Sequence, residues 1–110
     1  RVVGPQKAKE LCFTAEIIDA SEMYRLGIAQ KVFTVDEFWP KVMEFAYKLA
    51  EGPTLVYKLT KTIIDRSWGM SLEQFYDFEA LALEIVMKSE DFNEGMTAFI
   101  EKRKAVYKGK

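Results

Sequence analysis

The sequence has no histidine and one cysteine, Cys12. The first absence removes the commonest acid–base side chain and the commonest metal ligand. The two together exclude a Cys/His zinc site, a Cys–His nucleophile pair and any internal disulfide. A lone thiol favours a reducing compartment. The six glycines are scattered, so no glycine-rich phosphate loop joins a strand to a helix. No apolar run approaches the roughly 20 residues that a membrane span needs. The opening residues, RVVGPQKAKEL, lack the apolar stretch of a signal peptide, so no secreted protein is expected. Sixteen Lys and Arg against seventeen Asp and Glu leave a net charge of -1. That balance lacks the global basic footprint of a nucleic-acid binder.

What is present is a chain of 110 residues, 49% hydrophobic and 14% aromatic, enough for one globular domain over residues 1–110. Its caps are legible. Gly4-Pro5 suits the start of a short helix that carries Ala8, Leu11 and Cys12 on one side. Asp19-Ala-Ser-Glu22 resembles a capping box flanked by Ile18 and Met23, and Gly27 suits a left-handed stop. Ile28 to Phe33 (IAQKVF) is the only strand-like run. Thr34-Val-Asp-Glu37 offers a second box. Pro40, costly by about 3 kcal/mol inside a helix, favours capping by Asp36 instead, which leaves the proline in the first turn. That helix is expected to reach Ala50 with Val42, Met43, Phe45, Ala46 and Leu49 on its apolar side. Glu51-Gly52-Pro53 breaks the chain before a helix striped by Leu55, Leu59 and Ile63, which closes at Trp68-Gly69. Ser71-Leu-Glu-Gln74 opens a helix patterned by Phe75, Phe78, Ala82 and Ile85, and Ser89 caps the last one, with Glu90 and Asp91 at its positive end. The expectation is an all-α fold of six helices and one short strand-like segment that has no partner strand in the chain.

Two clusters invite a chemical reading. Glu16, Asp19 and Glu22 are three carboxylates close in sequence, but capping accounts for Asp19 and Glu22 and exposure for Glu16, so no catalytic residue is assigned. The second cluster is terminal. Phe92, Met96 and Phe99 form an apolar helical face, followed by Lys102, Arg103, Lys104, Lys108 and Lys110. Cations in a last helical turn gain about 0.3–1 kcal/mol each from the helix dipole. The functional alternative is an anion site, with the Phe99 ring as a plate and Lys102, three residues on, as the counter-charge. Trp39, Phe45, Tyr76, Phe78 and Phe99 are expected to supply apolar surface that a partner covers.

Three stretches resemble one family. FTAEIIDASEMYRLGIAQKV (Phe13 to Val32), EGPTLVYKLTK (Glu51 to Lys61) and EDFNEGMTAFIEKRKAVYKG (Glu90 to Gly109) are similar, in order, to segments of the enoyl-CoA hydratase/isomerase, or crotonase, superfamily. Ala15 stands where that pattern usually has glycine, Ile28-Ala29 replaces Leu-Val, and Ala105 stands where proline is frequent. The resemblance implies the C-terminal helical part of a crotonase-like fold. The catalytic glutamates and the oxyanion hole would belong to sequence ahead of the stretch matched by Arg1, which leaves this chain inert alone. It further implies that the full enzyme hydrates 2-enoyl-CoA in fatty-acid β-oxidation, in the cytoplasm or the mitochondrial matrix. A coenzyme A thioester would be its substrate, with no other cofactor and no metal. Phe99 and Lys102 match positions that contact CoA, with Arg103 and Lys104 adding positive potential. The helices would associate subunits as a dimer or trimer. Another branch, such as an enoyl-CoA isomerase, and a purely structural, self-associating helical module remain as alternatives.

Overall fold

The computed structural model describes residues 1–110, and all of its regular structure is helical. The helices are α1 (Gly4–Thr14), α2 (Ala20–Arg25), α3 (Val35–Ala50), α4 (Thr54–Ser67), α5 (Leu72–Met87) and α6 (Glu90–Glu101). Six helices and an all-α class agree with the capping pattern. The chain divides into two compact units, Arg1–Phe45 and Ala46–Lys110, and α3 runs across the division.

In the first unit, local hydrogen bonds write the helices. Pro5 lies in the first turn of α1, and Ala15 closes that helix in the left-handed region at φ 51°, its N–H donating to the Leu11 carbonyl. Asp19 caps α2 by accepting the Glu22 N–H at 2.8 Å. The reciprocal half of the expected box is absent, because the Glu22 carboxylate turns to Arg25 instead, at 2.6 Å to both Nε and Nη2. Gly27, at φ 74°, reverses the chain after α2. The strand-like run then forms no strand. The N–H groups of Ile28 and Ala29 both donate to the Met23 carbonyl, so the run starts by wrapping the end of α2. A strand also needs a neighbour to share its ladder, and the structure holds none.

Helix α3 starts two residues earlier than capping by Asp36 would have it. Val35 is its first residue, and the Thr34 hydroxyl donates to the Glu37 carboxylate at 2.8 Å. Pro40 therefore lies in the second turn, where the Asp36 carbonyl receives no N–H from it. The helix tolerates that loss because the Thr34–Glu37 contact and the acidic residues Asp36 and Glu37 favour the earlier start. Of its expected apolar side, Val42 is half-buried, whereas Met43, Phe45 and Leu49 are exposed.

The second unit has an interior. Helix α4 packs on α5, and α5 on α6. Leu55, Leu59 and Ile63 are half-buried along α4, as their stripe predicts. On α5 the inner row is Phe75, Phe78, Ala82 and Val86, while Ile85 faces out. Phe78 is thus not the exposed ring the sequence pattern offers; it is half-buried, with the Arg66 guanidinium 5.6 Å from its centroid. Both halves of the Ser71 capping box are made, Gln74 N–H to Ser71 Oγ at 3.2 Å and Ser71 N–H to Gln74 Oε1 at 2.9 Å. The buried residues are Ala82, Ser89, Asp91 and Ala98, all in this unit.

Candidate functional site

The site is built on α6 and the segment that follows it. Ser89 opens α6 by accepting the Phe92 N–H at 3.1 Å. The apolar row that spacing assigns to one face, Phe92, Met96 and Phe99, is not the face that α6 buries. Phe92 is half-buried, Met96 is exposed, and Phe99 is 81% exposed, with Ile100 exposed beside that row. The inward row is Asp91, Glu94, Gly95 and Ala98.

Helix α6 stops at Glu101, so Lys102 is not a member of a last helical turn. Lys102 is the residue that closes the helix, held in the left-handed region at φ 55° and ψ 36°. Its N–H donates back to the Ala98 and Phe99 carbonyls, and the Arg103 N–H donates to Ala98 at 3.0 Å. These bonds satisfy carbonyls that a helix end otherwise leaves open. The chain then reverses and runs back along α6. The Val106 N–H donates to Glu94 Oε1 at 2.8 Å. The Lys108 and Gly109 N–H groups donate to the two Asp91 carboxylate oxygens, at 2.6 and 2.9 Å. The Asp91 N–H in turn donates to the Lys110 carbonyl at 3.0 Å. Gly95 lets Tyr107 lie close, since a Cβ at that position would be 3.3 Å from the Tyr107 hydroxyl.

The basic cluster is therefore divided. Arg103 forks onto Glu94, Nη1 to Oε1 at 2.6 Å and Nη2 to Oε2 at 2.9 Å, while its Nε donates to Glu101 at 2.6 Å. The Arg103 guanidinium, then the Val106 N–H, hold the Glu94 carboxyl down at about 2. Glu94 and then Glu101 push the Arg103 guanidinium further up. Lys104 meets Glu51 at 2.6 Å. Arg103 and Lys104 thus do not add a positive field at the helix end; carboxylates inside the same unit neutralise them. Lys102 is exposed, and its ammonium meets no carboxylate.

An exposed aromatic ring, one turn before an exposed and uncompensated ammonium, can take an aromatic group that carries a phosphate. The negative end of α6 opposes an anion there, so the ammonium must supply the attraction itself. Asp91 is the residue that sequence reasoning missed. It fits a helix start so well that its second task, accepting two tail amides while 3% exposed, leaves no separate trace. Glu16, Asp19 and Glu22 do not converge, and no group of three acidic or thiol side chains could hold a metal ion. In the first unit a groove of about 530 Å³ is lined by Phe33, Phe38, Val42 and Phe45 together with Gln30, Lys31 and Lys41.

The chain that carries this terminal helix and returning tail falls in a defined class of protein. The sequence profile of the enoyl-CoA hydratase/isomerase family matches residues 1–110, and the chain belongs to that family. It is 36% identical over 105 residues to crotonyl-CoA hydratase of Syntrophomonas wolfei, covering 96% of this chain and 40% of the relative. A relative in Arabidopsis thaliana, named probable enoyl-CoA hydratase 2, mitochondrial, is 33% identical over 109 residues, covering 99% of this chain and 36% of its own. Among solved structures, enoyl-CoA hydratase subunit I from Geobacillus kaustophilus superposes with a TM-score of 0.92 at 34% identity, over 99% of this chain and 42% of that one. The chain therefore spans about two fifths of the length of the relatives it matches. No helix is long and apolar enough to cross a membrane.

Proposed function

We propose that these 110 residues act as the C-terminal helical part of an enoyl-CoA hydratase, an enzyme that adds water across 2-enoyl-CoA in fatty-acid β-oxidation in the cytoplasm or mitochondrial matrix. In that setting they associate subunits and form one edge of the CoA site, with Phe99 against the adenine ring and Lys102 at a phosphate. One observation carries the reading. Of the three consecutive cations after α6, Arg103 and Lys104 are spent on carboxylates, while Lys102 is left exposed one turn beyond an exposed phenylalanine.

The test is calorimetric titration of CoA into the complete polypeptide that carries these residues, at two salt concentrations. Losing one charge-assisted contact at Lys102→Ala raises Kd about tenfold. Lys108→Ala changes it less than about twofold, and mainly at low salt. Equal, salt-sensitive losses at both positions overturn the reading. The 110-residue chain by itself produces no loss of conjugated thioester absorbance above buffer, because the hydration machinery implied by the family lies in other sequence.

A second reading, a self-associating helical module with no CoA contact, draws on the exposed apolar side chains of α5 and α6. Met96 and Ile100 are exposed on the same helix as Phe99, and Leu72, Tyr76, Leu83 and Met87 form an exposed row on α5. Sedimentation separates the two readings. A dimer or trimer whose affinity for CoA is unchanged by Lys102→Ala favours the module.

A further inference from the structure

Lys102 occupies a backbone conformation in which a side chain is a liability. At φ 55° and ψ 36° the Cβ crowds the following carbonyl, and the residue that closes a helix in this way is most often glycine. Lysine at this position gives up stability that glycine would keep. Strain of this kind persists where the surroundings over-determine the conformation, and it collects at binding sites.

The surroundings here can be named. The residue after Lys102 is Arg103, whose three guanidinium nitrogens reach Glu94, Glu101 and the Lys104 carbonyl. Glu94 lies two turns back along α6 and also accepts the Val106 N–H. One carboxylate therefore ties down the chain on the far side of the turn at two points. The fork is planar and bidentate, which fixes direction as well as distance.

We infer that Arg103 and Glu94 are positioning residues for the anion site, holding the left-handed turn that presents the Lys102 ammonium. The inference rests on the CoA reading above, and it assigns the strongest cationic contact of the tail to geometry instead of to the ligand. Two consequences separate it from a simple charge effect. Arg103→Lys keeps the charge but loses the fork, so it weakens CoA binding. An effect transmitted through Lys102 also vanishes when Lys102 is already gone.

The experiment is a double-mutant cycle on the complete polypeptide, with calorimetric titration of CoA and thermal unfolding measured for each variant. Lys102→Gly is expected to raise the melting temperature while weakening CoA binding about tenfold. Ala15→Gly, at the other left-handed non-glycine position, raises the melting temperature and leaves CoA affinity unchanged. Arg103→Lys and Glu94→Gln each weaken binding about fivefold alone, and by less than about twofold when Lys102→Gly is already present. Unaltered affinity in Lys102→Gly overturns the underlying CoA reading. A loss in Lys102→Gly together with wild-type affinity in Arg103→Lys overturns the positioning role alone. So does an Arg103→Lys loss that persists undiminished in the double variant. Should Glu94→Gln fail to fold, the arginine arm of the cycle still decides.

Discussion

Between Ala46 and Lys110 four residues are buried, and two of them, Ser89 and Asp91, are polar; between Arg1 and Phe45 none is buried at all. The first region has helices as well formed as the second, each with its own start and stop. The comparison separates two things that helices need. Caps and breaks are local and suffice to place a helix, whereas an interior needs faces that meet. In the first region α1 and α2 are 11 and 6 residues long, shorter than an isolated helix needs in water, and Ile17, in the link between them, is 97% exposed. Residues 46–110 instead close around small side chains and bind their own tail with carboxylates.

The largest test of that contrast is Asp91→Ala. It leaves the Lys108 and Gly109 N–H groups without acceptors beside a buried position, which costs about 3 kcal/mol. Urea unfolding should show the loss, and amide exchange should locate it in the tail while residues 1–45 are unchanged. An equal increase in exchange across residues 1–45 breaks the comparison. Next comes Pro40→Ala. It returns an N–H to the Asp36 carbonyl, and after allowance for the more flexible unfolded chain it should stabilise α3 by about 2 kcal/mol. A lower melting temperature contradicts that account. Ala15→Gly relieves the left-handed alanine and gains about 1 kcal/mol, read as a shift in denaturation midpoint.

The smallest expected shift is the one read at Glu94 by lowering the pH. Its carboxyl sits at about 2 against an ordinary 4.5, a depressed value. Its contribution is therefore complete above about 4.5 and disappears as pH falls through about 2. Arg103, pushed up, keeps its charge throughout that window. Amide exchange at Val106 should quicken as pH drops from 5 to 2, beyond the change in intrinsic exchange chemistry. A protection factor that stays flat shows that the Glu94 pair does not hold the tail.

Most of the helical plan was legible because its signals act over three or four residues. Asp19, Ser71 and Ser89 cap what they precede, and Gly27, Glu51-Gly52-Pro53 and Trp68-Gly69 interrupt what they follow. The misread start of α3 was a contest between two local rules, in which the Thr34–Glu37 contact outweighed the preference for an early proline. Phe99 and Lys102 could be singled out by spacing, yet the end of α6 between them and the division of the cations could not. Those depend on pairs far apart in sequence, such as Glu94 with Arg103 and Asp91 with Lys108. Charge counting sees five cations and has no means of assigning two of them to carboxylates in the same unit.

The returning tail has one further consequence. It is dense in sites for a trypsin-like protease, at Lys102, Arg103, Lys104 and Lys108, yet a protease must draw out an extended stretch to cut. While Asp91 and Glu94 hold the amides of residues 106, 108 and 109, that stretch is withheld. Cleavage then waits on the fraction of molecules in which the tail has lifted, and under dilute protease its rate measures that fraction directly. The cations that look like a ligand patch thus double as a built-in timer, counting how often the last nine residues leave the helix they lie on.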